Sequence, residues 1–455
     1  QSHTHVFGTD SLGYRAAGML SASLLLWLIY IFGTRLYGRS AGLFAALTYA
    51  LLPRPFYHAH LNAFDVPITC ASTLVIYAYY RSLESRGFAA WTGVAFGLAL
   101  LTKHNSWLLP GLLGAHFAVC AALELRSRRA HKTKRFTLIP YGLLAMAWFG
   151  PPLLYGGWPW LWYDTAARLH EYVEFHLHHA YYNMEYFGVN YFWPPFPSSY
   201  AWVMTLFTVP FSTCALGVFG AVDALSAALR SLRTKTSSHY DPTQPTLLLL
   251  IALLAPLLLI SLPSTPIFGG TKHWFPAYPF LALFAGRAFV QVVRLLSPRL
   301  SKLPRHAIAW ASGAWLLAPA AVETAHSHPF ALSHYTALAG GVPGAAEKGM
   351  NRQFWGFTTR SLVPYLRQAL PHGGTLYLCD TVYSAFDMLI RDGHLPKTFR
   401  ATGDIAQADY AIVHHEKHFA EIDHQIWTTY GLTQPSEVLL YDGVPIISVY
   451  KNPLR

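Results

Sequence analysis

Ten apolar runs constrain this chain more than any other feature. They fall at residues 17–34, 41–57, 65–80, 88–102, 106–124, 136–156, 201–225, 245–263, 275–296 and 306–322. Runs of this size can cross the hydrocarbon core of a bilayer as helices. Several contain Pro or Gly, which a helix bundle tolerates. Only 12% of the residues are charged and 53% are hydrophobic, against roughly 25% charged in soluble domains. The expected fold is an α-helical polytopic membrane protein with about ten spans. Soluble, fibrous and disordered classes are excluded. Cys70, Cys120 and Cys214 lie in apolar runs and Cys379 in a strand-like run. Their spacing fits neither a metal knuckle nor a disulfide framework, so they read as unpaired buried thiols.

The loops set the orientation. One alternate set holds Arg35 and Arg39; Arg81 and Arg86; Arg126, Arg128, Arg129, Lys132, Lys134 and Arg135; Arg230, Arg233 and Lys235; and Arg294, Arg299, Lys302 and Arg305. The other set holds Arg15, Arg54, Lys103, Arg168 and Lys272. Lys- and Arg-rich loops stay in the cytoplasm. The net charge of +11 is therefore a topology signal, and the basic loops lack the interleaved aromatics of a nucleic-acid surface. Residues 1–16, the 158–200 loop and everything beyond about 323 are expected outside. The first visible run then crosses inward, which implies a further span and outer loop ahead of Gln1.

Residues 1–325 read as the membrane domain. Its 158–200 loop is dense in Trp, Tyr and Phe, and 164–180 reads as an amphipathic helix lying in the interface. Residues 326–455 read as an outer α/β domain. Strands are expected at 375–380 and 408–415, helices at 383–393 and up to about 430, and a hairpin over 436–451 turning at Asp442–Gly443.

Polar residues at the outer helix ends are the candidates for chemistry. Asp65 opens the third run in HAHLNAFDVP. A carboxylate there can act as a general base, bind a metal or hold sugar hydroxyls; the plain reading is a helix N-cap. Lys103 and His104 sit in one outer turn, Lys272 and His273 in another. Two Lys-His pairs on a side poor in cations suit a phosphate at the membrane surface; the plain reading is snorkelling lysines. His170, Glu174 and His178, four apart, share a helical face that could hold a divalent metal ion. The outer side is rich in His, so interfacial packing is the default there. No P-loop, HExxH, GxSxG or dinucleotide fingerprint occurs, which leaves nucleotide-driven transport unsupported.

The segments YRAAGMLSA (14–22), YGRSAGLFAALTYALLPRPFYHAHLNAFDVP (37–67), GLALLTKHN (97–105), KHWFPAYPFLALFAG (272–286) and HYTALAGGVPGAAEKGMNRQFWG (334–356) together resemble the polytopic glycosyltransferases of the C-type fold. The likeness is to the protein O-mannosyltransferase and aminoarabinose-transferase-like superfamily. It implies an inverting transfer of a sugar from a polyprenyl-phosphate donor, on the outer face of a bacterial inner membrane, to a protein, lipid or glycan acceptor. It implies a catalytic carboxylate at Asp65, donor-phosphate binding by Lys103, His104, Lys272 and His273, and a further first-loop acid upstream of Gln1. It implies membrane lipids as partners and no nucleic acid. Two other readings remain open. One is a non-catalytic transporter or flippase of lipid-linked sugars. The other is a degenerate relative that only binds. The spans show no internal repeat, and Arg287 is their main buried charge.

Overall fold

The computed structural model describes residues 8–131, 137–234 and 243–455. Lys132, Lys134, Arg135 and Lys235 of the charge tally lie outside the described residues. Helix occupies each of the ten apolar runs. Five helices are long and apolar enough to cross a membrane: Asp10–Tyr37, His104–Arg126, Phe211–Arg233, Thr243–Ile260 and Gly270–Leu296. The chain has a polytopic membrane fold.

Prolines break two of the runs. Leu52, extended ahead of Pro53, separates the Arg39–Ala50 helix from the short Pro53–His58 helix. The residue before a proline is pushed out of the helical region. The break turns Arg54 and His58 inward, and both are buried. Pro210 likewise divides Tyr200–Thr208 from Phe211–Thr234.

The bundle closes through small residues. A Cβ at Gly220 would lie 1.8 Å from the Phe284 carbonyl oxygen, so only glycine lets these two helices approach this closely. Arg287 on the same helix as Phe284 donates to Asp223 Oδ2 at 2.7 Å, which Gln291 also reaches at 2.7 Å. The intramembrane charge is therefore paired, as its burial demands. All four cysteines are free and buried.

The Asp65–Glu84 helix fixes the two ends of the bundle. At its C-terminal end, Glu84 pairs with Arg35 and Arg81. Asp65 stands at the other end of this 20-residue helix, a rise of about 28 Å away at 1.5 Å per residue. The Asp65 end is covered by the 158–200 loop and the C-terminal elements.

The loop contains the Thr165–Leu177 helix, which buries no residue, and a two-stranded hairpin, Met184–Tyr186 against Val189–Tyr191. The hairpin was not foreseen in the sequence. The C-terminal region forms a five-stranded sheet in the order Arg400–Thr402, Thr375–Leu378, Tyr410–His414, Val444–Lys451, Glu437–Tyr441. The first two pairings are parallel and the last two antiparallel. Tyr410–His414 is buried throughout, as a central strand with both faces covered requires. Asp442 and Gly443, both at positive φ, make the tight turn of the last hairpin.

Specific contacts dock the sheet region onto the bundle. Asp392 accepts from the free amides of Asp10 and Ser11 at 3.0 and 3.3 Å, satisfying donors that a helix start leaves open. Tyr441 bonds His334 at 2.9 Å. The Lys417 amide donates to Glu185 of the hairpin at 3.3 Å.

Candidate functional site

Three turns, far apart in sequence, meet at the Asp65 end of the bundle. Asp65 is the first residue of its helix, and the N-cap position is Phe64. Its carboxylate caps nothing: Oδ1 accepts from Lys103 Nζ at 2.8 Å, and Oδ2 faces His58 Nδ1 at 3.4 Å. The plain capping role is thus set aside, because the acid spends its oxygens on side chains. Lys103 reaches it because the Gly87–Thr102 helix ends there and Lys103 is extended.

Lys272 comes from the turn Gly270–Ala277. Its ammonium lies 4.4 Å from the ring centres of both Phe268 and Trp355, a cation–π clamp. Among the described residues no carboxylate lies within ion-pair distance of it. It is close enough to Asp65 and Lys103 to interact electrostatically with both. One end of the bundle therefore holds one acid–lysine pair and a second lysine without an acid of its own.

The two histidines beside these lysines do not share the site's free space. His104 stacks on His176 with ring centres 3.8 Å apart, next to Trp107. His273 Nε2 bonds the Phe268 carbonyl at 2.6 Å and holds its own loop. His170, Glu174 and His178 do not assemble a metal site. Glu174 and His178 pair with each other at 2.9 Å, with side chains 46% and 75% exposed. The helix ends at Leu177, so His178 has already left its face. Among the described residues no group of three His, Cys, Asp or Glu is placed to hold a metal ion. The residues present do not fit the metal that the spacing allowed.

Three residues of the site carried no functional assignment in the sequence. His58 packs edge-on against Phe275 and Trp355, with centres 4.8 and 5.7 Å away. Arg54 is buried between the rings of Tyr335 and Phe354 at 5.2 and 5.3 Å. Trp355 sits at φ +60°, a backbone region that bulky residues rarely enter and that marks stored strain. Gly269 makes room for it: a Cβ there would lie 2.1 Å from the Trp355 ring. Arg54 and His58 lie in the 37–67 segment and Trp355 in the 334–356 segment that carry the resemblance, but no role was attached to them there.

Trp355 separates two cavities. The larger, about 1060 Å³, lies between the Asp10–Tyr37 and Arg305–Ser327 helices and the C-terminal elements. Arg15 and Arg360 stand in its mostly apolar wall. The smaller, about 380 Å³, has Lys272, Glu185, Asn351, Asp380 and Glu416 in its wall. Burial, with Asp380 alongside, pushes the Glu416 carboxyl up to about 9. Burial raises Asp380 to about 6.

Comparison with known proteins gives three findings. Residues 1–155 match the family model for dolichyl-phosphate-mannose-protein mannosyltransferase. No curated protein matches the chain. Among solved structures, the ArnT of Cupriavidus metallidurans bound to undecaprenyl phosphate is similar at 17% identity, over 98% of this chain and 85% of that one, with a TM-score of 0.48. The Archaeoglobus fulgidus oligosaccharyltransferase tethered with an acceptor peptide is similar at 12% identity, over 88% of this chain and 57% of that one, with a TM-score of 0.41. The family match spans the stretch that holds Asp65 and Lys103, and it shows there the resemblance that the sequence motifs carried.

Proposed function

We propose that this chain is a membrane glycosyltransferase. It moves a sugar from a polyprenyl-phosphate donor to an acceptor on the extracytoplasmic face, with inversion. One observation carries the reading: Asp65, Lys103 and Lys272 converge from three distant turns at the end of the bundle opposite Glu84, Arg35 and Arg81. The basic loops give that end its outward assignment.

The chemistry follows from these charges. The acceptor atom attacks the sugar's anomeric carbon from the face away from the phosphate. The carbon–oxygen bond to phosphate breaks, and its electron pair passes to the phosphate oxygen. Negative charge grows there, and a preorganised cation in a dry site stabilises it. Lys272, without a carboxylate of its own and with its clamp of rings, is suited to that role. Lys103 is held in place by Asp65. The acceptor's proton passes to Asp65, whose Oδ2 has His58 beside it. The larger cavity, apolar with Arg15 and Arg360 in its wall, suits a lipid-borne substrate. His104 and His273 act through packing rather than on phosphate.

The test is transfer from radiolabelled undecaprenyl-phosphate sugars to membrane extracts by the purified chain. Product that needs Asp65 supports the reading. Movement of an intact lipid-linked sugar across vesicles, with no polyprenyl phosphate released, would favour a flippase instead.

A further inference from the structure

The first spanning helix serves as a depth gauge. It runs from Asp10 to Tyr37, 28 residues, or about 42 Å at 1.5 Å per residue. A bilayer with its headgroups is about 40–45 Å thick. Near the Tyr37 end, Arg35 pairs with Glu84, and the basic loops put that end in the cytoplasm. Asp10 therefore stands in the outer headgroup layer. The C-terminal elements are tied to the helix at this level. Asp392 accepts from the amides of Asp10 and Ser11, and Arg391 Nη1 lies 3.9 Å from Asp10 Oδ2.

Three cations gather at this tie. Arg367, Arg391 and Lys397 line an outer cavity of about 540 Å³ whose wall contains no acid. Ile390, Leu395 and Pro396 supply apolar wall beside them. Arg367 is fixed in place, because its Nε and Nη2 donate to the carbonyls of His394 and Gly393, both at 2.8 Å. Among the described residues no carboxylate lies within ion-pair distance of Arg367 or Lys397, and Arg391 has only the long contact to Asp10. Asp392, next in sequence, has both carboxylate oxygens on backbone amides. The cluster is a surplus of exposed positive charge, not a network of ion pairs.

Depth and charge together name the partner. Cations held in the headgroup layer meet lipid phosphates, and an anionic leaflet favours each such Lys or Arg by roughly fivefold. Arg391 ends the helix Tyr383–Arg391, which buries only Phe386. Tyr383 at its start is 51% exposed, an aromatic of the kind enriched at membrane interfaces. We propose that Arg367, Arg391 and Lys397 form a docking surface for the anionic lipid headgroups of the outer leaflet. Met388 and Leu389 of the same helix line the larger cavity, so headgroup binding steadies one wall of that cavity. This surface depends on the orientation of the bundle and not on the transfer reaction.

The experiment compares two membranes. The full chain is placed in nanodiscs of phosphatidylcholine alone and of phosphatidylcholine mixed equally with phosphatidylglycerol. The readout is hydrogen exchange at the amides of Asp392, Gly393, His394 and Leu395, each bonded to a carbonyl of the preceding helix. Wild type is expected to exchange there at least about fivefold more slowly in the anionic nanodiscs, the scale of one cation near an anionic surface. The double variant Arg391→Gln, Lys397→Gln should exchange at one rate in both. Salt at about 0.5 M should remove the difference in wild type by screening, and should the variant unfold, this arm decides alone. Equal exchange of wild type in the two nanodiscs overturns the proposal, as does protection that survives salt or the double variant. Heparin that gives the same protection in phosphatidylcholine nanodiscs overturns the membrane as partner and assigns the surface to a soluble polyanion.

Discussion

Replacing each lysine of the site by alanine should have two different consequences, because only one of them has an acid. Lys103 Nζ lies 2.8 Å from Asp65 Oδ1, and the two side chains are 19% and 7% exposed. Lys103→Ala leaves a buried carboxylate facing only His58. Removing one member of a buried pair costs about 3–5 kcal/mol. The partial exposure of Lys103 places the expected loss near the lower end. Lys272→Ala strands no carboxylate and loses a desolvated cation–π contact of about 2 kcal/mol. Its larger effect is on the donor. A charge-assisted hydrogen bond to phosphate contributes about 1.5–3 kcal/mol, roughly a 10- to 150-fold change in donor affinity. The assay pairs thermal unfolding in detergent with undecaprenyl-phosphate binding. Lys103→Ala should show the larger drop in unfolding midpoint, and Lys272→Ala a smaller drop with weakened binding. Unchanged carrier affinity in Lys272→Ala, or equal destabilisation of the two variants, would refute the reasoning.

Three further outcomes follow from the same geometry. Gly269→Ala should abolish transfer and lower the melting temperature, since the new methyl meets the Trp355 ring at 2.1 Å and the φ of +65° disfavours alanine; native activity in that variant would show that Trp355 can move without consequence. Glu416 is held protonated when folded, up to about 9, by burial and by Asp380. The folded state therefore binds more protons than the unfolded one between the ordinary carboxylate range and about pH 9. Stability should fall as pH rises through that window, and Glu416→Gln should flatten the fall in a series of pH-dependent melts; an unchanged slope would contradict the burial of that carboxyl. His170→Ala, and separately dialysis against EDTA, should leave transfer unchanged, because Glu174 and His178 pair with each other; loss of activity on chelation would restore a metal to the mechanism.

The sequence carried the membrane architecture well because its signals are local. Apolar runs need no partner to be read, and helix occupies part of each run, five of the helices being long and apolar enough to cross a membrane. Asp65, Lys103 and Lys272 were legible for a similar reason: each is a charge at the end of an apolar run, on the side poor in cations. Their contacts were not legible, because the Asp65–Lys103 bond joins turns 38 residues apart. The His170, Glu174, His178 spacing left metal binding and interfacial packing both open, since periodicity cannot show that the helix stops at Leu177. Glu174 and His178 are spent on each other. Trp355 stood in a quoted segment but received no role, because its importance lies in a backbone conformation and in the space left by Gly269. The smaller cavity was the least visible feature. It joins Asn183 and Glu185 of one loop to Asn351, Asp380 and Glu416 of another region, and no window of sequence contains both.

The central claim is that the carboxylate held between Lys103 and His58 serves sugar transfer. The most direct measurement is release of polyprenyl phosphate from a labelled polyprenyl-phosphate sugar by wild type and by Asp65→Asn, purified side by side and matched for folding by thermal melt. Release by wild type together with acceptor labelling, and no release above background by Asp65→Asn, is the result expected. Equal release by both proteins would contradict the account.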